Sequence, residues 1–318
     1  MVFCPGLFGA YFLDSNSIRF PLPIESDFAS IAVGNGVSVA TGDRSDGVLV
    51  SRNSEEWSFI PFNQIYPLRS VAFGNDRFVM VGGRHFFWSD NGITWHVQSE
   101  VIENLAFVMY SRGSFWAVGE NKVFKSDDGV DWLGTIVEDE PTDLSLTTIF
   151  DDGTFLHAIG DDPPSGIYTP DARFTSLDGV TWTKKHDDPD VGLRNAVVLA
   201  TDGNVIAATA LSDPPSHYTR PQSLLIMQDA DGNASAIQSP VSASHWSAVK
   251  YRDGRFWFFS DQGIASSDAS FIKWTIEEGA IDRAAIIAGE GGWLAATSSG
   301  EIKFRSYDAE AIDGWDIL

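Results

Sequence analysis

Cysteine is nearly missing from this chain. Cys4 is the only one, which excludes a disulfide within the chain and any cysteine-based zinc site. Basic residues are scarce as well: 21 Lys plus Arg stand against 44 Asp plus Glu, a formal net charge of −23. Such a surface repels nucleic-acid phosphates and anionic membranes and favours solubility, so neither nucleic acid nor membrane insertion is expected. The apolar N-terminus, Met1 to Leu13, is too short to span a bilayer, and it lacks a basic leading segment and a clear cleavage site. No secretion signal is therefore expected. The histidines (His85, His96, His157, His186, His217 and His245) are scattered without metal-ligand spacing. Glu138-Asp139-Glu140 and Asp187-Asp188-Pro189-Asp190 lack the ordered spacing of an EF-hand loop, and no phosphate-binding glycine loop occurs. No metal and no cofactor are expected. Helical periodicity is absent too.

What is present is a repeated turn. Ser89-Asp90-Asn91-Gly92-Ile93-Thr94-Trp95, Ser126-Asp127-Asp128-Gly129-Val130-Asp131-Trp132 and Ser176-Leu177-Asp178-Gly179-Val180-Thr181-Trp182 share the form Ser-x-Asp/Asn-Gly-x-x-Trp. Asp or Asn bonds the backbone just beyond it, Gly takes a positive φ at low cost, and the Trp that begins the next strand covers the turn. Each copy sits between two runs of β character, so one supersecondary unit has been copied several times. The unit predicts four short strands: Ser70–Phe73, Phe78–Val81, His85–Trp88 and Trp95–Gln98, then Leu105–Tyr110, Phe115–Val118, Val123–Lys125 and Trp132–Val137. Degenerate copies are read at Ser51-Arg52-Asn53 before Trp57, at Asp231-Gly232 before Ser235, at Ser266 and Asp268 before Trp274, and at Ser306 and Asp308 before Trp315. Seven anchors spaced 37 to 53 residues apart predict an all-β fold, a seven-bladed β-propeller of four-stranded antiparallel blades over 28–318. Residues 1–27 read as a surplus hairpin that either closes the ring or docks on a neighbour.

In such a wheel the repeated turns share one face, and the connections between the second and third strand of each blade open on the other. Two of those connections resemble each other: Asp162-Pro163-Pro164-Ser165-Gly166-Ile167-Tyr168-Thr169-Pro170 and Asp213-Pro214-Pro215-Ser216-His217-Tyr218-Thr219-Arg220-Pro221. Proline stiffens them, and loops on a rigid scaffold carry binding, so Tyr168, Tyr218, His217 and Arg220 are candidate ligand or partner residues. Arg69, Arg194 and Arg283 fall near the start of innermost strands on the same face. Together they are a candidate anion site.

The turn resembles the Asp-box (BNR) repeat of sialidase-like β-propellers, and the resemblance covers nearly the whole chain. In that family the boxes are structural and lie opposite the ligand site. The resemblance therefore implies a scaffold role for Ser89, Asn91, Gly92, Trp95, Ser126, Asp128, Gly129, Trp132, Ser176, Asp178, Gly179 and Trp182. The short blades are most similar to non-enzymatic phage and bacterial members. They imply a recognition or assembly propeller, set in a bacteriophage virion or tail and binding a host glycan or a neighbouring virion protein. A virion or host-cytoplasm location follows from that setting. A sialidase-like glycosidase is the alternative, and a cytoplasmic assembly factor a third. Ile18-Arg19-Phe20-Pro21 and Asp43-Arg44-Ser45-Asp46 resemble sialidase motifs. Arg19, however, precedes the predicted first strand by several residues, and neither Tyr251 nor Tyr307 has an evident Glu partner. No catalytic residue is assigned.

Overall fold

The computed structural model describes residues 28–42, 47–53, 56–62, 67–98, 104–137, 144–161, 171–185, 196–201, 205–211, 223–229, 234–241, 246–277, 281, 284–288, 292–297, 302–306 and 316–317. It is all β. The first sheet comprises β1 (Phe28–Gly34), β2 (Val37–Gly42), β3 (Gly47–Ser51) and β4 (Trp57–Pro61). The second comprises β5 (Ser70–Gly74), β6 (Arg77–Gly82), β7 (His85–Ser89) and β8 (His96–Val97). Next come β9 (Phe107–Ser111), β10 (Ser114–Gly119), β11 (Lys122–Ser126) and β12 (Leu133–Ile136). The fourth holds β13 (Ser145–Asp151), β14 (Leu156–Asp161), β15 (Asp171–Ser176) and β16 (Thr183–Lys185). The fifth holds β17 (Ala196–Thr201), β18 (Ile206–Leu211), β19 (Ser223–Gln228) and β20 (Ala234–Ile237). In the sixth lie β21 (Trp246–Arg252), β22 (Arg255–Ser260), β23 (Gly263–Ser267) and β24 (Trp274–Glu277). In the seventh lie β25 (Ala284–Ala288), β26 (Gly292–Thr297), β27 (Ile302–Ser306) and β28 (Asp316–Ile317). Every sheet is an antiparallel meander in chain order, and the fold is a β-propeller with four-stranded antiparallel blades.

Burial explains why these residues make such blades. The inner strands are apolar almost without alternation, and all six residues of β2 and of β10 are buried. A strand covered on both faces reads that way. The fourth strands are outermost and half exposed, as in β4 and β12, and they are short, which limits the open edge each blade presents.

The core lies between blades rather than within them. Val37, Val39, Val48 and Val50 of the first sheet close on Val71, Phe78, Met80 and Phe87 of the second and on Leu68 just before it. The same arrangement follows between the second and third sheets, the third and fourth, the fifth and sixth, and the sixth and seventh. Ile31, Ala40 and Leu49 of the first sheet pack with Leu294 of the seventh, and β1 touches β25 and β26. The chain thus returns to its start. First strands also touch in series around the axis, β1 on β5 and β5 on β9. Serine hydroxyls tie them: Ser30 Oγ donates to Val71 O at 3.3 Å and accepts from Val71 N at 3.1 Å, and Ser70 does the same with Val108. Each sheet takes its four strands from one continuous stretch. The hairpin expected over residues 1–27 lies outside the described residues.

Candidate functional site

Two faces must be told apart. In an antiparallel meander, the turn joining the first two strands and the turn joining the last two share one end of the blade. The connections between second and third strands, and those between blades, share the other end.

The three repeated turns are built alike. Asn91 Oδ1 accepts from Ile93 N and Thr94 N, both at 2.8 Å, and from Ser89 Oγ at 3.2 Å. Asp128 Oδ1 accepts from Val130 N at 2.8 Å, Asp131 N at 2.9 Å and Ser126 Oγ at 3.0 Å. Asp178 Oδ1 repeats this with Val180, Thr181 and Ser176. Hydrogen bonds from the backbone N–H of Asp131 are the largest cause that holds the Asp128 carboxyl below the usual range, and those from Thr181 do the same for Asp178. Ser126 and Ser176 also accept the backbone N–H of Gly129 and Gly179, each at 2.8 Å. Trp95 Nε1 donates to Gly92 O at 2.9 Å and Trp182 Nε1 to Gly179 O at 3.2 Å. Trp132 differs: its ring stacks on Phe86 of the preceding blade, centroids 4.0 Å apart.

The glycines answer to more than their positive φ of 72°, 77° and 74°. A Cβ on Gly92 would stand 3.0 Å from Val37 and Val39, one on Gly129 would meet Val79, and one on Gly179 would overlap the Trp116 ring. In every case the obstacle belongs to the preceding blade. Each turn therefore plugs into its neighbour.

Polar bonds follow the same route. Arg77 Nη1 donates to Asp128 O at 2.7 Å and Asn75 Nδ2 to Asp127 O at 3.1 Å. Arg112 Nη1 reaches Leu177 O at 2.8 Å while its other nitrogens grip Asp151 at 2.8 and 2.7 Å. Beside it, Asp152 Oδ2 lies 2.6 Å from His157 Nε2, and the buried imidazole stacks on Phe150. Burial alone would raise both carboxyls. The Arg112 fork and Ser111 outweigh it at Asp151, and His157 with two backbone N–H groups at Asp152, so both titrate below the usual range. This face spends its polar groups on the fold.

The degenerate copies fare unevenly. Asn53 Oδ1 accepts from Ser51 Oγ and from Glu56 N, so the first sheet keeps the turn's polar half. In the sixth sheet the expected serine is corrected by one residue. Ser267, not Ser266, pairs with Phe256 as Ser89 pairs with Phe78, and Ser267 Oγ donates to Lys273 O. Ser266 instead binds Arg255. The turn is one residue longer, and Phe271 holds the positive φ, 52°, with its ring half-stacked on neighbouring aromatics. Ser235 falls within β20, and Ser306 ends β27.

On the opposite face, Arg69 precedes β5. Its side chain is exposed, and its backbone N–H donates to Val81 O at 2.9 Å. Arg194, Arg283, Tyr168, His217, Tyr218 and Arg220 lie outside the described residues. So do Arg19, Asp43 to Asp46 and Tyr307. The strand ends nevertheless fix where two of these segments depart. Residues 162–170 join β14 to β15, and 212–222 join β18 to β19, both at this face. In the second, third and sixth sheets the equivalent connection is only Gly83-Arg84, Glu120-Asn121 and Asp261-Gln262. Tyr251 sits at the other end, near the β21–β22 turn, with its ring against Phe256. Among the described residues no helix is long and apolar enough to cross a membrane.

No family profile and no curated protein matches this sequence. Solved structures match its shape. YCF48 from Cyanidioschyzon merolae has a TM-score of 0.64 at 15% identity, covering 91% of this chain and 98% of that one. A structure of YCF48 bound to D1 peptide has the same score at 10% identity, with 90% and 95% covered. The Neurospora crassa Pan2 WD40 domain scores 0.68 at 12% identity, with 92% and 93% covered. Virginiamycin B lyase from Staphylococcus aureus scores 0.64 at 9% identity, with 88% and 94% covered. Likeness at these identities establishes the propeller fold and leaves activity open.

Proposed function

We propose that the chain is an Asp-box propeller whose seven sheets are its blades, and that it works as a non-enzymatic recognition module. Its ligand side is the face opposite the repeated turns. The carrying observation is the internal consumption of the turn face: the Ser, Asp or Asn and Gly of each complete turn are bonded within the turn or seated on the preceding blade. Loops that answer only to a ligand belong on the other end, where residues 162–170 and 212–222 depart. Tyr168 and Tyr218 would supply flat amphipathic surface to a glycan or a partner protein, with His217 and Arg220 beside them. Arg69, Arg194 and Arg283 would meet an acidic group. The peptide-bound YCF48 structure lends support to the protein-partner form of this reading. A phage virion or tail is the setting we favour.

A glycan array and a fluorogenic sialoside test it together. Saturable array binding without sialoside turnover is expected. Turnover abolished by Arg194→Ala would replace recognition with glycoside hydrolysis. A stoichiometric complex with a larger virion protein and an empty array would leave assembly as the role.

A further inference from the structure

The blades place matched residues at each level of their innermost strands, and one level breaks pattern. Directly across the first two strands the pairs are Ala32 with Val39, Ala72 with Val79, Met109 with Trp116, Phe150 with His157, Ala200 with Ala207 and Ile287 with Leu294. All are apolar except His157, whose imidazole is paired with Asp152. In the sixth blade the pair is Lys250 with Trp257. Paired residues stand on the same side of a sheet with Cβ atoms about 4.5–5.5 Å apart. Trp257 packs against Ala248, Ile286 and Trp293, so this side faces the seam between the sixth and seventh blades beside the axis.

Both members are hydrogen-bond donors. Trp257 Nε1 is buried and has no acceptor. The Lys250 amine makes no hydrogen bond or ion pair among the described residues, although protein surrounds it while some solvent contact remains. Burial pushes its amine below the ordinary lysine range. Two adjacent donors in an apolar seam, with no acceptor supplied, are costly unless something else accepts from them. A carboxylate has the needed chemistry: two oxygens that only accept, and one negative charge.

We propose that Lys250 and Trp257 form a two-donor seat for a small carboxylate, entered from the central channel and independent of the loop-borne face proposed above. The ammonium takes one oxygen through a charge-assisted bond, the indole N–H takes the other, and the apolar seam receives a short hydrophobic body. Benzoate is a suitable probe, and saturation-transfer NMR on the full chain reads its binding. Saturable binding is expected in the wild type. Lys250→Met copies the Met109 and Trp116 pair of the third blade, so the fold tolerates it, and it should weaken benzoate about tenfold or more. Trp257→Phe removes the second donor and should weaken it about fivefold, while Lys250→Arg should keep binding. Benzoate should also slow the reaction of Lys250 with trinitrobenzenesulfonate, followed by peptide mass spectrometry. Wild-type protein without saturable binding, or Lys250→Met binding as well as wild type with an unchanged unfolding midpoint, overturns the seat.

Discussion

Replacing Gly179 with alanine isolates the way one blade is fastened to the next. Two costs act there. The left-handed backbone, φ 74°, penalises any Cβ by about 1–2 kcal/mol. The added methyl would also overlap the ring of Trp116, which is 2% exposed and held by a hydrogen bond to Ser111 O, so it has little room to yield. Overpacking of that kind costs about 1–3 kcal/mol, giving a total of about 2–5 kcal/mol. Gly113 supplies the control. Its φ is 75°, but a Cβ there meets nothing within 4 Å, so Gly113→Ala carries only the backbone cost. Urea unfolding followed by tryptophan fluorescence gives both values. The excess of Gly179→Ala over Gly113→Ala should largely vanish in a Trp116→Leu background. Equal losses for the two glycines, or an excess that survives without the indole, would refute the plug between blades.

Further outcomes follow from the same contacts. Asp128→Asn should be nearly silent in urea unfolding, since Asn91 already serves in the second blade, whereas Asp128→Ala should cost about 1 kcal/mol after allowance for its exposure. Asp151 and Asp152 titrate lower in the folded state than in the unfolded chain. Their contribution is therefore fully present above the unfolded carboxyl range, near about pH 4, and is lost as pH falls through the lower folded values. Acid unfolding of Asp151→Asn should accordingly show a shallower loss of stability below about pH 4 than wild type. Arg112→Lys cannot grip Asp151 with two nitrogens and also reach Leu177 O, so it should lower the thermal midpoint although charge is kept.

The strand pattern was legible because inner strands are apolar on both faces and the turns carry Asn, Asp and Gly at fixed offsets. Ser70, Phe78 and His85 each fall where the sequence places them, in β5, β6 and β7. The serine of the sixth blade was misread as Ser266 because two serines adjoin and the turn carries an extra residue; only the pairing of Phe256 with Ser267 decides it. Gly92, Gly129 and Gly179 were readable as positive-φ positions, but their second duty was not, since Val37, Val79 and Trp116 lie in other blades. The Arg112–Asp151 contact was missed for the same reason, while Asp152–His157 closes a single hairpin and left no motif to read. Lys250 did leave a signal, a lysine in the middle of an innermost strand, directly after Ala248 and Val249.

Recognition by the face opposite the repeated turns is the central claim. The direct measurement is one glycan array probed with wild type, with Tyr168→Ala/Tyr218→Ala, and with Leu177→Ser/Val180→Ser on the exposed rim of the turn face. Binding that the loop variant loses and the turn-face variant keeps is the predicted result. Binding lost only with the turn-face variant would contradict it.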